Sequence, residues 1–288
     1  MSTRTSSVPF DAGEKSRQLI ENGFCILNDI LDENVIRRTR DISMKSVLGL
    51  SGEQLANAKA AGSLINSDDE PGLAQCVGNP RAVSALEAMG FGDVKFWKAV
   101  IISKPPHGPR LYLHQDCMMW DDPRAYGDYS PMIFLMYYLD NTTRENGCLR
   151  LLPGSHREWH ELHGMGMAHG PDVSRAEDMS DPRFGTFPGE IDVPMKAGDL
   201  VVGDARLFHS THGNDSDNHR TVITIWFHPL FGGLQEQTQS WIHHQFHDRH
   251  GGWPAQALES LGTLIPDYRG RVEPMKANRQ PDRGRLHR

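Results

Sequence analysis

The chain has 288 residues, 38 % hydrophobic and 23 % charged, with a net charge of −7. Those values fit one large domain with decorations, or two small ones, long enough to bury a core without staples, and they speak against a general nucleic-acid binder. Four scattered cysteines with no C-x-x-C pair exclude a disulfide framework and a thiolate zinc site and suit a reduced, cytoplasmic protein, while fifteen histidines invite a search for metal ligands.

In chain order, residues 1–10 read as a flexible polar arm. The opening carries no apolar run, so no secretory leader is expected, and no later run is long enough for a membrane span. Residues 11–23 suit a short helix closed by Gly23, FCILNDI (24–30) suits a strand, and Asp32 looks like the N-cap of a helix that follows. Residues 51–70, rich in Gly, Ala, Ser and Asp, read as a mobile loop, and Pro80 opens a further helix. From residue 94 the texture turns β-branched and aromatic. Strands are expected at 94–103, 111–116, 131–140, 148–155, 192–196, 199–204 and 220–229, with 131–140 apolar on both faces and therefore central. Residues 156–190 lack periodicity and read as a long insertion or lid. The arginine-rich stretch 269–288 reads as a basic, disordered tail. Short strands broken by Gly and Pro turns, with helices kept to one end, predict a mainly β fold with helices (α+β). Its core is a double-stranded β-helix, a jelly roll of the cupin-like kind, over about 94–230, with an N-terminal helical layer, in one domain spanning 11–268.

The chemistry begins at His114-Gln115-Asp116. On an extended chain, side chains at i and i+2 share a face, so an imidazole and a carboxylate stand side by side. Two histidines and one carboxylate on one face are what a non-haem iron(II) oxygenase needs. Taken alone, H-x-D is better read as a surface His beside a solvated Asp. The segment 198–227 adds two further candidate ligands, His209 and His212, in a turn before a strand that begins at Arg220. A buried Arg needs an anion, and its planar fork suits a dicarboxylate; the plainer alternative pairs it with Asp215 or Asp217. On that strand Val222, Thr224 and Trp226 share the face of Arg220, pointing to substrate or to core. Trp120 follows the H-x-D closely enough to line a pocket mouth. His243, His247 and His250 share a helix face and read as solvated.

ISKPPHGPRLYLHQD (102–116), ENGCLRLLPGSHR (145–157) and AGDLVVGDARLFHSTHGNDSDNHR (197–220), with ENGFCILNDILDENVIRR (21–38) before them, together resemble the phytanoyl-CoA dioxygenase family, within the iron(II)/2-oxoglutarate-dependent oxygenase superfamily. The resemblance implies His114, Asp116 and His209 as catalytic metal ligands, His209 standing eleven residues before the Arg as in the family. It implies Arg220 on the far carboxylate of 2-oxoglutarate and Gln115 beside that co-substrate, with Fe(II), 2-oxoglutarate and O2 as cofactors. His212 becomes a near neighbour, and Asn146-Gly147 and Pro153-Gly154-Ser155-His156 match structural turns. Met136 stands where some relatives carry tryptophan. The implied reaction is hydroxylation of an unactivated C–H bond of a small molecule, releasing succinate and CO2, with no nucleic-acid or membrane partner. Two other readings stand beside it: a non-catalytic jelly-roll binding module, and a cupin-like metal enzyme that does not use 2-oxoglutarate.

Overall fold

The computed structural model describes residues 10–165 and 169–286, so the expected N-terminal arm lies, but for Phe10, outside the described residues. Helix α1 (Ala12–Asn22) starts where the Asp11 carboxylate accepts from the Glu14 N–H at 3.0 Å. It ends at Gly23, whose φ of 83° lies in the left-handed region that glycine takes without cost. Helix α2 (Glu33–Leu48) is capped by Asp32, which accepts from the N–H groups of Asn34 and Val35. The stretch 51–70, expected as a mobile loop, instead holds α3 (Gly52–Asn57) and a two-residue strand. A reciprocal Ser51–Gln54 capping box starts that helix, a local signal that the Gly/Ala/Ser composition masked. The remaining helices are α4 (Ala74–Val77), α5 (Pro80–Ala88), α6 (Pro171–Ser174), α7 (Glu236–His250) and α8 (Ala255–Leu261). None of the helices is long and apolar enough to cross a membrane, among the described residues.

The strands are β1 (Phe24–Leu27), β2 (Ile65–Asn66), β3 (Lys95–Lys104), β4 (Ile133–Tyr138), β5 (Leu149–Leu151), β6 (Ile191–Val193), β7 (Leu200–Asp204), β8 (His209–Thr211) and β9 (Arg220–His228). They form two antiparallel sheets, ordered β1-β7-β4-β9-β3-β2 and β6-β5-β8. This is the jelly-roll core, with helices α1, α2 and α5 before it in the chain.

The alternation of side chains in β4 explains why it is apolar on both faces. Ile133, Leu135 and Tyr137 enter the core shared with Leu19, Ile36 and Leu86 of α1, α2 and α5. Phe134, Met136 and Tyr138 enter the barrel interior, where Leu149, Leu151 and Val193 of the smaller sheet meet them. Strand β9 divides the same way: Ile223, Ile225 and Phe227 face the helical side, and Val222 and Trp226 the interior. In β3 the register against β9 slips between Phe96 and Lys98. This bulge sends Phe96 to the helical core and both Trp97 and Lys98 to the interior side.

The segment after β3 and before β4 departs from the expected pattern at 111–116. It forms one isolated bridge, at His114, rather than a strand, because its other N–H groups go to scattered carbonyls: Leu111 to Thr211, Leu113 to Arg183, Asp116 to Ala205. The C-terminal stretch also differs from expectation. Residues 269–286 do not stand apart as a solvated tail: the Met275 and Asn278 N–H groups donate to the Gln237 and Met118 carbonyls, the Asp282 N–H donates to the Tyr126 hydroxyl, and Leu286 is buried. Arg283 and Arg285 stack on Trp159 and Tyr126, so the arginine content that suggested disorder is used in packing.

The turn between β7 and β8 is fixed by a buried ion pair. Arg206 donates to both Asp204 carboxylate oxygens, at 2.9 and 2.6 Å, and to the Ala125 and Gly127 carbonyls. Burial pushes the Asp204 carboxyl up, but the Arg206 guanidinium more than offsets it and holds the pKa below the usual carboxylate value. That contribution to stability is present above the ordinary carboxylate range and is lost as pH falls through the lowered native value. Arg206→Met leaves Asp204 buried and unpaired, and is expected to cost about 3–5 kcal/mol in denaturant unfolding at neutral pH. A loss under about 1 kcal/mol would mean that the turn does not depend on this pair.

Candidate functional site

Two segments distant in sequence meet at the interior end of the barrel. His114 and His209 exchange both backbone hydrogen bonds, His114 N–H to His209 C=O at 3.1 Å and the reverse at 2.9 Å. Each imidazole then turns its Nδ1 to the carbonyl two residues back, Tyr112 for His114 and Leu207 for His209, 3.0 Å in both cases. A carbonyl only accepts, so Nδ1 carries a proton, and in the neutral imidazole Nε2 keeps its lone pair. Both Nε2 atoms face Asp116, 3.7 Å from Oδ1 and 3.6 Å from Oδ2. Trp226 donates its Nε1–H to Asp116 Oδ2 at 2.8 Å. A carboxylate and two lone-pair nitrogens converging this way fit a divalent cation of the iron type.

A third imidazole joins them from the 156–190 insertion. His169 Nε2 lies 3.4 Å from Asp116 Oδ1, and its Nδ1 lies 2.8 Å from the Tyr112 hydroxyl. The ligand atoms of His114, Asp116 and His169 lie within 4.8 Å of one another, so two sets of three donors share Asp116. They differ in support: the His209 side chain is 3 % exposed and strand-borne, that of His169 39 % exposed and carried by a loop. Burial pushes the His114 pKa well below the ordinary imidazole value, and His209 and His169 add to the push. For Asp116 burial acts upward, but the facing imidazoles of His209, His169 and His114 outweigh it and hold the carboxyl below the usual range. A neutral His114 and an ionised Asp116 are the states that a metal requires.

Arg220, the first residue of β9, is 2 % exposed, and its Nε and Nη2 have no hydrogen-bond partner among the described residues. Neither Asp215 nor Asp217 takes it; both are exposed. Burial pushes its pKa down, with Tyr138 and Asp140 pulling the other way. Gly147 lets the chain pass close by: its φ is 90°, and a Cβ there would stand 3.5 Å from Arg220 Nη2. An uncompensated buried guanidinium is destabilising by several kcal/mol, so this end of the site is shaped for an anion.

Arg220, His114, Asp116 and His209 line one cavity of about 240 Å³. Thr224 and Trp226 line it too, as their shared face with Arg220 requires. Gln115 does not. As the residue between two inward side chains it points the other way, bonds the Arg279 carbonyl at 3.0 Å and lines a neighbouring cavity, not the one that Arg220 lines. Trp120 is also outside; it is buried against Tyr126 and His163 because the chain turns after Asp116 instead of continuing along the barrel wall. His212 meets Asp192 at 2.6 Å, beside Cys148 and away from Asp116. His156 sits on the Ile20 carbonyl. On α7, His250 is buried against Ser67 at 3.0 Å rather than solvated, since the helix packs on β3. Three residues escaped the sequence reading. His169 lay in the flagged insertion without a partner to single it out. Lys98 had one signal, a charge inside the apolar run VKFWKAVIIS. Arg279 had none.

A family model described as phytanoyl-CoA dioxygenase (PhyH) matches residues 20–222. The peroxisomal phytanoyl-CoA dioxygenase of Bos taurus is 23 % identical over 226 residues, 72 % of this chain and 65 % of that protein. Among solved structures, the epimerase SnoN in complex with Fe3+, α-ketoglutarate and nogalamycin RO superposes with a TM-score of 0.59 at 16 % identity, covering 94 % of this chain and 97 % of SnoN. EctD from S. alaskensis with 2-oxoglutarate and 5-hydroxyectoine gives 0.56 at 18 % identity, covering 81 % of each chain. At such identities the structural matches establish the shared fold.

Trp226→Phe removes the hydrogen bond to Asp116 while keeping most of the ring. Metal titration of the apoprotein should show divalent affinity falling about 10–100-fold. Unchanged affinity would mean that Asp116 is oriented without Trp226.

Proposed function

Since the chain belongs to the phytanoyl-CoA dioxygenase family of iron(II)- and 2-oxoglutarate-dependent oxygenases, we propose that it hydroxylates an unactivated C–H bond of a small molecule, with succinate and CO2 released. In this reading His114, Asp116 and His209 hold the iron and Arg220 holds the far carboxylate of 2-oxoglutarate. The observation that carries it is the buried Arg220 guanidinium, without an anion, lining the same cavity as the two lone-pair imidazoles and their carboxylate. A binding module has no use for that combination, and a metal enzyme that ignores 2-oxoglutarate would leave the guanidinium buried and uncompensated.

Bound iron(II) and 2-oxoglutarate supply the oxidising chemistry, activating O2 for transfer of one oxygen atom to the substrate. The chain's own residues set the conditions. The Tyr112 and Leu207 carbonyls fix both imidazoles in the tautomer that offers Nε2. Trp226 fixes the carboxylate by donating to Oδ2, the oxygen that also faces His209. His209 is preferred to His169 as the third ligand because strand pairing pins it before any metal arrives. The 156–190 insertion acts as a lid, His169 reaching Asp116 and Tyr112 from it. Met118, Met132, Met136 and Val222 line the cavity with apolar surface that excludes water from the reacting centre.

The deciding experiment is anaerobic titration of the apoprotein with iron(II) and then 2-oxoglutarate, reading the visible charge-transfer band of the chelate. The band is expected to form in the wild type. Asp116→Ala should lose iron binding, and Arg220→Met should raise the 2-oxoglutarate concentration needed by on the order of 100-fold, the worth of one or two charge-assisted hydrogen bonds. Iron binding with no band would favour the metal enzyme that does not use 2-oxoglutarate.

A further inference from the structure

The cavity holds more positive charge than the proposed reaction uses. Asp116 is the one acid among its described lining residues, against three cations: Arg220, Lys98 and Arg279. A divalent ion and a dianionic co-substrate cancel one another. What remains, with Asp116 set against Arg220, is the charge of Lys98 and Arg279. Neither is discharged by a protein carboxylate. The Lys98 ammonium lies over the Trp97 and Trp226 rings, 4.8 Å from each, and has no hydrogen bond or ion pair among the described residues. Among the described residues the Arg279 guanidinium has one hydrogen-bond partner, the Asp116 carbonyl at 3.5 Å.

Both cations are brought in by special features of the chain. The bulge in β3 turns Lys98 onto the interior side, where it faces Trp226 across the β3–β9 pair. Strict alternation from Phe96 would have sent it into the helical core. Burial then pushes the Lys98 pKa down to about 8, Asp116 opposing and Arg249 and Arg279 adding to the shift. Arg279 arrives on the C-terminal stretch, which Asn278 pins by its pairing with Met119 and by a 2.7 Å bond to Asp121. A cation stacked on aromatics gains from the ring faces but leaves the ammonium's hydrogen bonds unmade. An oxyanion from a ligand would satisfy both groups. The rest of the lining, Met118, Met132, Met136, Val100 and Val222, is apolar.

We propose that the substrate is an amphipathic oxyanion, an apolar body ending in a carboxylate or phosphate ester, and that Lys98 and Arg279 bind that end. This deepens the proposed function and rests on it, since it assigns Arg220 to the co-substrate.

The test is equilibrium dialysis of octanoate, octyl phosphate and octanol against the whole protein, both metal-free and loaded anaerobically with iron(II) and 2-oxoglutarate. At least one anion should bind about tenfold or more tighter than octanol. Lys98→Met and Arg279→Met should each weaken that anion about tenfold and leave octanol within about twofold. The favoured anion distinguishes carboxylate from phosphate. The charge-transfer band should persist in both variants, which also verifies their folding. Octanol binding as tightly as both anions overturns the proposal, as does undiminished anion binding in the variants. Loss of the band in either variant overturns it too, by assigning that cation to the co-substrate. A wild type that never forms the band defeats the proposed function. Anion preference in that metal-free protein, lost in both variants, would still support the oxyanion site.

Discussion

The backbone bonds that tie residues 111–117 to residues 205–211 are the constraint on which the site depends. Leu111 donates to Thr211, His114 and His209 exchange both bonds, and Asp116 and Cys117 both donate to Ala205. Five short bonds bring two imidazoles and a carboxylate from distant parts of the chain to one point. They also hold the backbone carbonyls of Tyr112 and Leu207 where each ring's Nδ1 can reach one. The Arg206–Asp204 pair closes the turn from which Ala205 offers its carbonyl. The ligand geometry is therefore set by main-chain pairing, which side-chain freedom cannot relax.

Around that fixed centre the barrel separates two interiors by residue parity. Odd positions of β4 and β9 meet the helices, and even positions meet the cavity. A two-residue alternation thus lets one strand serve a dry core on one side and chemistry on the other. The bulge in β3 breaks the rule once, and the break exchanges an apolar position for a lysine over two indoles. Trp226 links the two functions. Its ring lies under Lys98 while its Nε1–H holds Asp116, so the proposed oxyanion site and the proposed metal site share one side chain.

The groups that complete the cavity come from less regular chain. His169 belongs to the insertion and Arg279 to the C-terminal stretch, and both approach Asp116. Strands supply the parts that need fixed distances. Loops supply parts that must admit a substrate and then close on it. The stretch carrying Arg279 lies beyond the 20–222 segment that matches the family.

The sequence by itself determined most strands of the jelly roll, though not β2 or β8, and with them the central place of β4, the caps of α1 and α2, and the side-by-side placing of His114 and Asp116. All of these follow from local rules: period-two alternation, capping side chains and glycine's left-handed φ. It also placed Thr224 and Trp226 on the face of Arg220, because parity within one strand is local. The tertiary structure alone decided that Gln115 faces the neighbouring cavity and that Trp120 turns into the core. It alone decided that His169 and Arg279 reach Asp116 and that the arginine-rich C-terminal stretch packs on aromatic rings. Each of these contacts joins residues tens to more than a hundred positions apart, or depends on where an irregular chain turns. Neither is encoded in spacing, since composition reports what a segment can bury and only packing reports what it meets.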